Sequence, residues 1–381
     1  MTKTIFVFDM DGVLLESGGY QQALKSTVKL IGKMLGAPET RLMGDQIARF
    51  EALNVSNEWD SLAICTAIIL LHVWKIDPDI CLNGAKLNSR CVTDKRPDFD
   101  NFLSQFTDIG DLPGQMIFHK IIATHPDLHE GQKQHLADIL LNSNDIYQSL
   151  TLPLHQEAVL GSTLFQKIYG IEPQLECESA LLKHDRPSIT CDQREKLLNW
   201  LDLPENHAVI MTNRLSLAPE GYQSTPEAEL GLKLVGLESI PLIGSGTLLW
   251  FAAEHCGLAS HTFLKPNPVH ALTALGLSHW DSAQQSVAKA ADLWLGKGNA
   301  KDWQAFNGAK LVIFEDSANG ILAGIRAVDI LKNNGIEIDL KRVGVSQNKI
   351  KLDVLKQLSD LTVPDINHID WTTITSETRQ N

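Results

Sequence analysis

Short apolar runs alternate along much of this chain with longer stretches of helical periodicity. The first run, residues 5–8, contains no polar residue, which is typical of a strand buried on both faces of a parallel sheet. Three later runs have the same character, and each is followed by a polar or glycine-containing turn: residues 208–211, 241–243 and 311–314. Residues 342–345 are predicted as a further strand. Strands that alternate with helices predict an α/β fold with a doubly wound, mainly parallel sheet.

A long helical insertion separates the first predicted strand from the second. Its patterning predicts helices and no convincing series of strands. The candidate helices are residues 20–35, 59–74, 131–143 and 190–201. The chain is therefore predicted to form an α/β core from residues 1–16 and 204–381 and an α-helical cap domain from residues 17–203. An extra segment at about 278–307, with an amphipathic helix near 282–295, interrupts the later strands.

Composition and charge narrow the range of partners. The chain has 381 residues, of which 44% are hydrophobic and 21% charged, as in ordinary globular proteins. Its formal net charge is −13, which opposes binding to nucleic acids and to anionic membranes. The densest basic group is interpreted as a solvated face near a strand; it contains Lys341, Arg342, Lys349 and Lys351. We therefore expect neither a nucleic-acid nor a membrane partner.

Cysteine spacing and the N-terminal pattern indicate a cytoplasmic protein. The six cysteines are widely spaced and include no C-x-x-C pair, which favours reduced thiols. A strand-like run follows the first residues directly, so we expect no signal peptide. The most apolar stretch, residues 62–74, is shorter than a membrane-spanning helix requires. The oligomeric state does not follow from these features.

Two carboxylates follow the first predicted strand. Asp9 and Asp11 flank Met10, and Gly12 allows the backbone to turn sharply after them. In such a turn one carboxylate can attack a phosphorus atom while the other donates, and later removes, a proton. An Asx turn that caps a helix is the alternative interpretation of this short string.

Polar residues at later positions supply the other groups that phosphoryl transfer needs. Thr212 and Asn213 follow the second strand and could donate hydrogen bonds to phosphate oxygens. Lys265, within FLKPNP, could neutralise negative charge, and Glu315 with Asp316 offers hard oxygen ligands for Mg²⁺. Each of these alone also has a structural explanation as a helix cap, a solvated lysine or a partner of a helix dipole. Their joint occurrence after successive strands favours a phosphoryl-transfer site.

The segments FDMDGV, MTN, LKP and FEDSANG occur in the order seen in hydrolases of the haloacid dehalogenase (HAD) superfamily. The chain resembles that family over residues 1–16 and 205–350, and its helical insertion lies where subfamily I members carry a cap domain. The resemblance implies a Rossmann-like core that binds Mg²⁺. It implies that Asp9 is the nucleophile, Asp11 the general acid/base and Lys265 the charge-neutralising residue. Thr212 and Asn213 would donate hydrogen bonds to the phosphate. Asp9, Asp316 and the Asp11 carbonyl would bind the metal, with Glu315 as a nearby or water-mediated ligand.

The resemblance also implies an activity, with alternatives. We expect a Mg²⁺-dependent phosphatase that hydrolyses a small phosphorylated metabolite, similar to a sugar or polyol phosphate, through an aspartyl-phosphate intermediate. Asp11 argues against a dehalogenase, because a leaving halide needs no acid. The fourth segment resembles the β-phosphoglucomutase-like branch, so a phosphomutase is the first alternative, although Gln21 stands where those mutases have a histidine. A non-catalytic binding protein with the same fold is the second.

Two further features have more than one interpretation. Asn57, Glu58 and Trp59 lie in a polar, aromatic segment before an apolar helix. They are either a substrate rim or a helix cap with an aromatic staple. Arg214 follows the Thr-Asn pair and could reach a second anionic group of the substrate or pair with a neighbouring acid.

Overall fold

The described part of the chain forms two compact units. The computed structural model describes residues 3–55, 57–83, 90–110 and 112–374. The first unit, called here the α/β unit, contains the described residues up to Ser17 and from Asp185 onward. The second, called the helical unit, is Gly18–His184. The chain thus leaves the α/β unit once and returns to it once, as expected for an inserted domain.

The α/β unit is built on a parallel sheet of six strands. The order across the sheet is β5-β4-β1-β6-β7-β8, and every neighbouring pair is parallel. Two further strands, β2 and β3, form a small antiparallel ribbon. The strand bounds are β1 Thr4–Phe8, β2 Leu15–Glu16, β3 Arg186–Pro187, β4 Asn206–Met211, β5 Leu242–Ile243, β6 Ala309–Glu315, β7 Ile338–Val345 and β8 Leu361–Val363. Sequence patterning predicted β1 and β4–β7, whereas the three-residue edge strand β8 was not predicted.

Helices cover both faces of the sheet. The side chains of Ile5 and Val7 on β1 pack into one hydrophobic cluster, and Phe6 and Phe8 pack into another on the opposite face. This alternation, with both sides buried, explains why residues 5–8 of β1 are all apolar. The helices of this unit are α10 Cys191–Leu201, α11 Glu227–Val235, α12 Ser245–Trp250, α13 Pro268–Leu277, α14 Ala283–Trp294, α15 Ala318–Asn333 and α16 Lys349–Leu358. The predicted doubly wound α/β fold is confirmed.

The helical unit is organised around one helix that is apolar on nearly all sides. This helix, α3, has buried residues at almost every position from Ser61 to Val73, with His72 as an exception. Such all-round apolarity is typical of a helix enclosed by others. The helices of the unit are α1 Gly19–Met34, α2 Gly44–Ala52, α3 Glu58–Val73, α4 Phe99–Leu103, α5 Pro113–Thr124, α6 Glu130–Leu140, α7 Leu152–Leu160, α8 Ser162–Tyr169 and α9 Ala180–His184. Among the described residues, no helix has both the length and the apolarity needed to cross a bilayer.

One boundary of the helical insertion differs from the prediction. The insertion was predicted to end at residue 203, but the helical unit ends at His184, and α10 belongs to the α/β unit. Trp200 of α10 stacks on Phe6 of β1, with ring centroids 3.9 Å apart. Gln193 of α10 also accepts a hydrogen bond, through its backbone carbonyl, from the Trp371 indole. The helical pattern of α10 was predicted correctly, but its partners lie in the sheet.

The extra segment at 278–307 completes one hydrophobic layer of the α/β unit. It contains the predicted amphipathic helix, α14, and a 3₁₀ helix at Ala300–Phe306. Trp303 and Phe306 are fully buried, and Trp280 meets Trp303 edge to face at 4.9 Å. Together with α13, these residues cover the sheet face that carries Ile5 and Val7. The segment therefore adds to the hydrophobic core of the α/β unit and does not form a separate domain.

Candidate active site

The end of the central strand β1 places Asp9 in the middle of a polar cluster. The backbone N–H of Asp9 donates to the carbonyl of Phe314 on β6, at 2.9 Å. The Asp9 carboxyl group is buried, with only 7% of the residue exposed. In a parallel sheet, the carboxyl ends of neighbouring strands meet at one edge, so residues that follow β4 and β6 lie beside Asp9. The predicted convergence is observed for the ends of β1, β4 and β6, whereas Lys265 follows a 3₁₀ helix, Ser260–Phe263, and not a strand.

Gly12 gives the turn after β1 its shape. Its φ of +77° lies in the left-handed region that favours glycine. A Cβ atom at this position would also overlap the side chain of Asp316. Glycine is therefore required both by the backbone conformation and by the close approach of a carboxylate.

Lys265 connects the strand β1 carboxylate to the carboxylate at the end of β6. Its Nζ lies 2.8 Å from Asp9 Oδ1 and 2.6 Å from Glu315 Oε1. All three side chains are nearly or fully buried. Two acidic side chains share this one ammonium group in a desolvated place, so a further cation bound there would compete with protons for their oxygen atoms.

The acidic cluster has the donor set of a site for a hard divalent cation. Asp9, Glu315 and Asp316 can each offer one oxygen atom such that the three atoms lie within 4.8 Å of one another. Gly320 leaves space for this cluster, since a Cβ atom there would overlap the Glu315 carboxylate. Carboxylate oxygens are the ligands that Mg²⁺ prefers. The residues present therefore fit the expected metal.

Burial dominates the proton affinities in this cluster. It raises the pKa of Asp9 to about 6 and the pKa of Glu315 to about 8, and in both cases attraction to Lys265 opposes the shift. Burial by itself lowers the pKa of Lys265, but its ion pairs with Asp9 and Glu315 outweigh that effect and leave the pKa raised. Lys265 is consequently charged at neutral pH, and it is the counter-charge that keeps Asp9 available as a carboxylate.

Thr212 and Asn213 lie at the end of β4, next to β1 in the sheet. Thr212 is buried, and its Oγ1 accepts a hydrogen bond from the backbone N–H of Arg214 at 3.1 Å. The Asn213 side chain is exposed, and its Oδ1 accepts from the backbone N–H of Lys265 at 3.3 Å. That contact joins the β4 end to the lysine loop. The structure therefore places Asn213 in contact with the Lys265 backbone, and Thr212 directly precedes Asn213 at the end of β4.

Asp11 pairs with Arg214 and does not point freely into solvent. The Arg214 Nε lies 2.9 and 2.8 Å from the two carboxylate oxygens of Asp11, and Nη2 also contacts Asp11. The Ser17 hydroxyl donates to the same carboxylate. Of the two roles that the sequence left open for Arg214, the structure shows the pairing with a neighbouring acid.

Two charged residues near the cluster were not recognised as site residues from sequence. Lys351, near the start of α16, donates to Asp316 Oδ2 at 2.6 Å, and its side chain is 54% exposed, in agreement with the solvated face expected from the sequence. Asp185 is buried and pairs with Arg214 Nη1 at 2.9 Å. The position of Lys351 after the strand β7 was a usable signal, because that strand end lies at the same edge of the sheet. Nothing in the sequence marked Asp185.

The predicted substrate rim lies in the helical unit, at the start of α3. Asn57 immediately precedes the helix, and its side chain contacts Asp60 at 3.5 Å. Glu58 and Trp59 form the first turn of the helix. Asn57 thus occupies the N-cap position, although its side chain accepts no hydrogen bond from the backbone of the first turn, and a role of these residues in binding a substrate stays a prediction.

Other residues of the helical unit line a cavity of about 560 Å³. Its wall combines polar and apolar side chains, including Gln22, Ser26, Leu30, Gln174 and Lys183. Residues 57–59 are not part of this wall. The sequence provided no signal for the cavity, because its residues come from three separated stretches of the chain.

Comparison with solved structures identifies the architecture. An X-ray structure determined as a target of the Northeast Structural Genomics Consortium aligns with a TM-score of 0.63 and 16% identity, over 96% of this chain and 97% of that chain. This chain shares that fold. At such low identity the similarity shows the fold alone.

Weaker similarities extend to proteins whose names give an activity. The phosphatase Tt82 from Thermococcus thioreducens aligns with a TM-score of 0.48 and 13% identity, over 93% of this chain and 99% of that chain. YfnB from Bacillus subtilis, named as a HAD hydrolase and solved bound to magnesium, aligns with a TM-score of 0.35 and 11% identity, over 96% of both chains. Neither similarity is strong enough to carry a functional conclusion. A scan against protein-family models and a search of curated proteins found no match.

Proposed function

We propose that this chain is a hydrolase of the HAD superfamily that removes phosphate from a small phosphorylated metabolite. The observation that carries the proposal is the geometry around Asp9: a buried carboxylate at the end of the central strand, 2.8 Å from a buried lysine and beside two further acids. The order of the four sequence segments supports the same family. A sugar or polyol phosphate is the substrate class that we favour.

In the proposed reaction, Asp9 attacks the phosphorus atom and forms an aspartyl-phosphate. Lys265 offsets the repulsion between the Asp9 carboxylate and the incoming phosphate. Thr212 and Asn213 donate hydrogen bonds to phosphate oxygens. When bound by Asp9, Asp316 and the Asp11 carbonyl, with Glu315 nearby, Mg²⁺ would supply further neutralisation of the phosphate charge.

Asp11 moves the protons in both half-reactions. It gives a proton to the leaving oxygen as the bond between phosphorus and that oxygen breaks. It then takes a proton from the water that attacks the aspartyl-phosphate, so that phosphate is released and Asp9 is restored. The two carboxylates thus have separate tasks: Asp9 bonds to phosphorus, and Asp11 transfers the protons.

The test is hydrolysis of p-nitrophenyl phosphate with and without Mg²⁺, followed by a panel of phosphorylated metabolites. We expect Mg²⁺-dependent release of phosphate by the unaltered protein. Asp9→Asn should lower kcat to background while the circular dichroism spectrum is unchanged, because the amide is not a nucleophile of comparable strength.

The matched control is Asp192→Asn, which makes the same change in an exposed ion pair with Lys196 on α10. It should retain full activity. Near-normal activity of Asp9→Asn would contradict the proposed mechanism. Absence of activity in the unaltered protein on every substrate tested would favour a non-catalytic binding protein.

A further inference from the structure

The guanidinium group of Arg214 is engaged through all three of its nitrogen atoms. The edge formed by Nε and Nη2 faces the Asp11 carboxylate. Nη2 also donates to the Ser17 hydroxyl at 3.2 Å, and Nη1 pairs with Asp185 at 2.9 Å. The side chain of Arg214 is only 2% exposed, so these contacts are made largely out of water.

The backbone of Arg214 is held as firmly as its side chain. Its N–H donates to Thr212 Oγ1 at 3.1 Å, and its carbonyl accepts from the Ser245 N–H at 2.9 Å. Gly231 packs against this region: a Cβ atom there would lie 2.6 Å from Met10 Sδ, 2.9 Å from Leu15 Cδ1 and 3.2 Å from Arg214 Nη1. The residue that contacts Asp11 is thus fixed to the end of β4, next to the predicted phosphate donors.

Asp185 determines which edge of the guanidinium is available to Asp11. Its carboxylate is fully buried and occupies Nη1. An arginine fork can bind a carboxylate through one edge while its remaining nitrogen binds another group. Lysine has no such fork, because its ammonium is a single point charge. The arrangement therefore specifies the direction of the Asp11 carboxylate and does not merely supply positive charge.

We propose that Arg214, oriented by Asp185, is a positioning residue for Asp11 in proton transfer. This inference rests on the proposed function. As the bond between phosphorus and the leaving oxygen breaks, the proton of Asp11 passes to that oxygen, and Asp11 becomes a carboxylate. Arg214 stabilises this carboxylate and holds it in place until the attacking water returns a proton to it.

Two substrates of similar shape test the inference: phenyl phosphate and p-nitrophenyl phosphate. Phenolate is the poorer leaving group, so its departure depends more on the proton from Asp11. Arg214→Lys keeps the charge and removes the fork. We expect kcat/KM to fall on the order of tenfold more for phenyl phosphate than for p-nitrophenyl phosphate. This difference is smaller than the whole rate contribution of a general acid, which is about 10²- to 10⁴-fold, because Asp11 itself is still present.

The control is Arg342→Lys, because Arg342 makes the same forked contact with Asp360 at the surface. It should change neither rate. Ser17→Ala, at an exposed position, should lower kcat/KM less than Arg214→Lys does, again more for phenyl phosphate than for p-nitrophenyl phosphate. This variant replaces Arg214→Lys as the test if Arg214→Lys does not fold.

Equal losses of kcat/KM on both substrates, in an active unaltered protein, would overturn the positioning role alone. An unaltered protein inactive on both would overturn the proposed function and this role with it.

Discussion

At the scale of single residues, Lys265 is the group on which the candidate site depends. It lies between the buried carboxylates of Asp9 and Glu315. Removing one partner of a buried ion pair leaves charge without compensation, and this is more damaging than the pair itself is stabilising. The LKP segment indicated a lysine that contacts Asp9, the proposed nucleophile. It did not indicate that the same ammonium also binds Glu315.

We predict that Lys265→Met lowers the free energy of unfolding by about 3–5 kcal/mol in the absence of metal, the range typical of a broken buried pair. Mg²⁺ should recover part of this loss, since it would neutralise the same carboxylates. The measurement is thermal and chemical unfolding, with and without Mg²⁺.

The matched control is Lys289→Met, because Lys289 pairs with Asp302 in a partly exposed position. Its loss should be about 1 kcal/mol or less, and Mg²⁺ should not change it. Equal losses of unfolding free energy in the two variants would mean that the buried ion pairs of Lys265 stabilise the fold no more than an exposed pair does.

At the scale of elements, α10 is a helix that the sequence predicted correctly but assigned to the wrong unit. Its helical pattern was evident from sequence, with Thr190 as the N-cap that accepts from the Gln193 N–H. Its assignment to the inserted domain was wrong. The aromatic contact between Trp200 and Phe6 decides its place, and such a contact between residues almost 200 positions apart leaves no local signal.

We predict that Trp200→Ala destabilises the α/β unit by about 3–5 kcal/mol, as is usual for truncation of a buried aromatic residue. Hydrogen exchange followed by mass spectrometry should show faster exchange in β1 and in the segment around Trp371, which also packs on Phe6. Exchange in α1 and α3 should be unchanged.

The comparison variant is Trp74→Ala in the helical unit, where the indole donates to the Ile80 carbonyl at 2.7 Å. This variant should accelerate hydrogen exchange in α3 and leave exchange in β1 unchanged. If Trp200→Ala instead accelerated hydrogen exchange in α3, α10 would pack with the helical unit, and its assignment to the α/β unit would be wrong.

At the scale of the whole molecule, each unit contains a buried histidine whose protonation opposes folding. Burial lowers the pKa of His155 in the helical unit to about 4 and that of His270 in the α/β unit to about 3, from an ordinary value of 6.5. Because the unfolded chain binds these protons more readily, stability is complete above pH 6.5 and falls as the pH decreases through the lowered values.

We predict that unfolding of the helical unit becomes easier between pH 6.5 and 4, and that His155→Leu removes about 3 kcal/mol of this dependence. Melting temperatures measured across this range provide the test. His119→Leu, at an exposed position of α5, is the control and should leave the dependence unchanged. A pH dependence that is identical in His155→Leu and the unaltered protein would contradict the prediction.

The sequence by itself determined the α/β class, most strands of the sheet and the residues that meet at its edge. It could do so because strands buried on both faces need continuous apolar runs, and because parallel strands bring their carboxyl ends together. Asp9, Thr212 and Asp316 therefore become neighbours through the topology alone. Local patterns also identified α1, α3 and α14.

Only the tertiary structure decided which charges pair. Arg214 binds Asp11 and Asp185, and Lys351 binds Asp316, although each pair is separated by many residues in the chain. A long flexible side chain can reach any of several acids, and the choice depends on burial and on the edge that remains unoccupied. The sequence offered Arg214 either a neighbouring acid or a second anionic group of a substrate, and only the fold showed that its partners are Asp11 and Asp185.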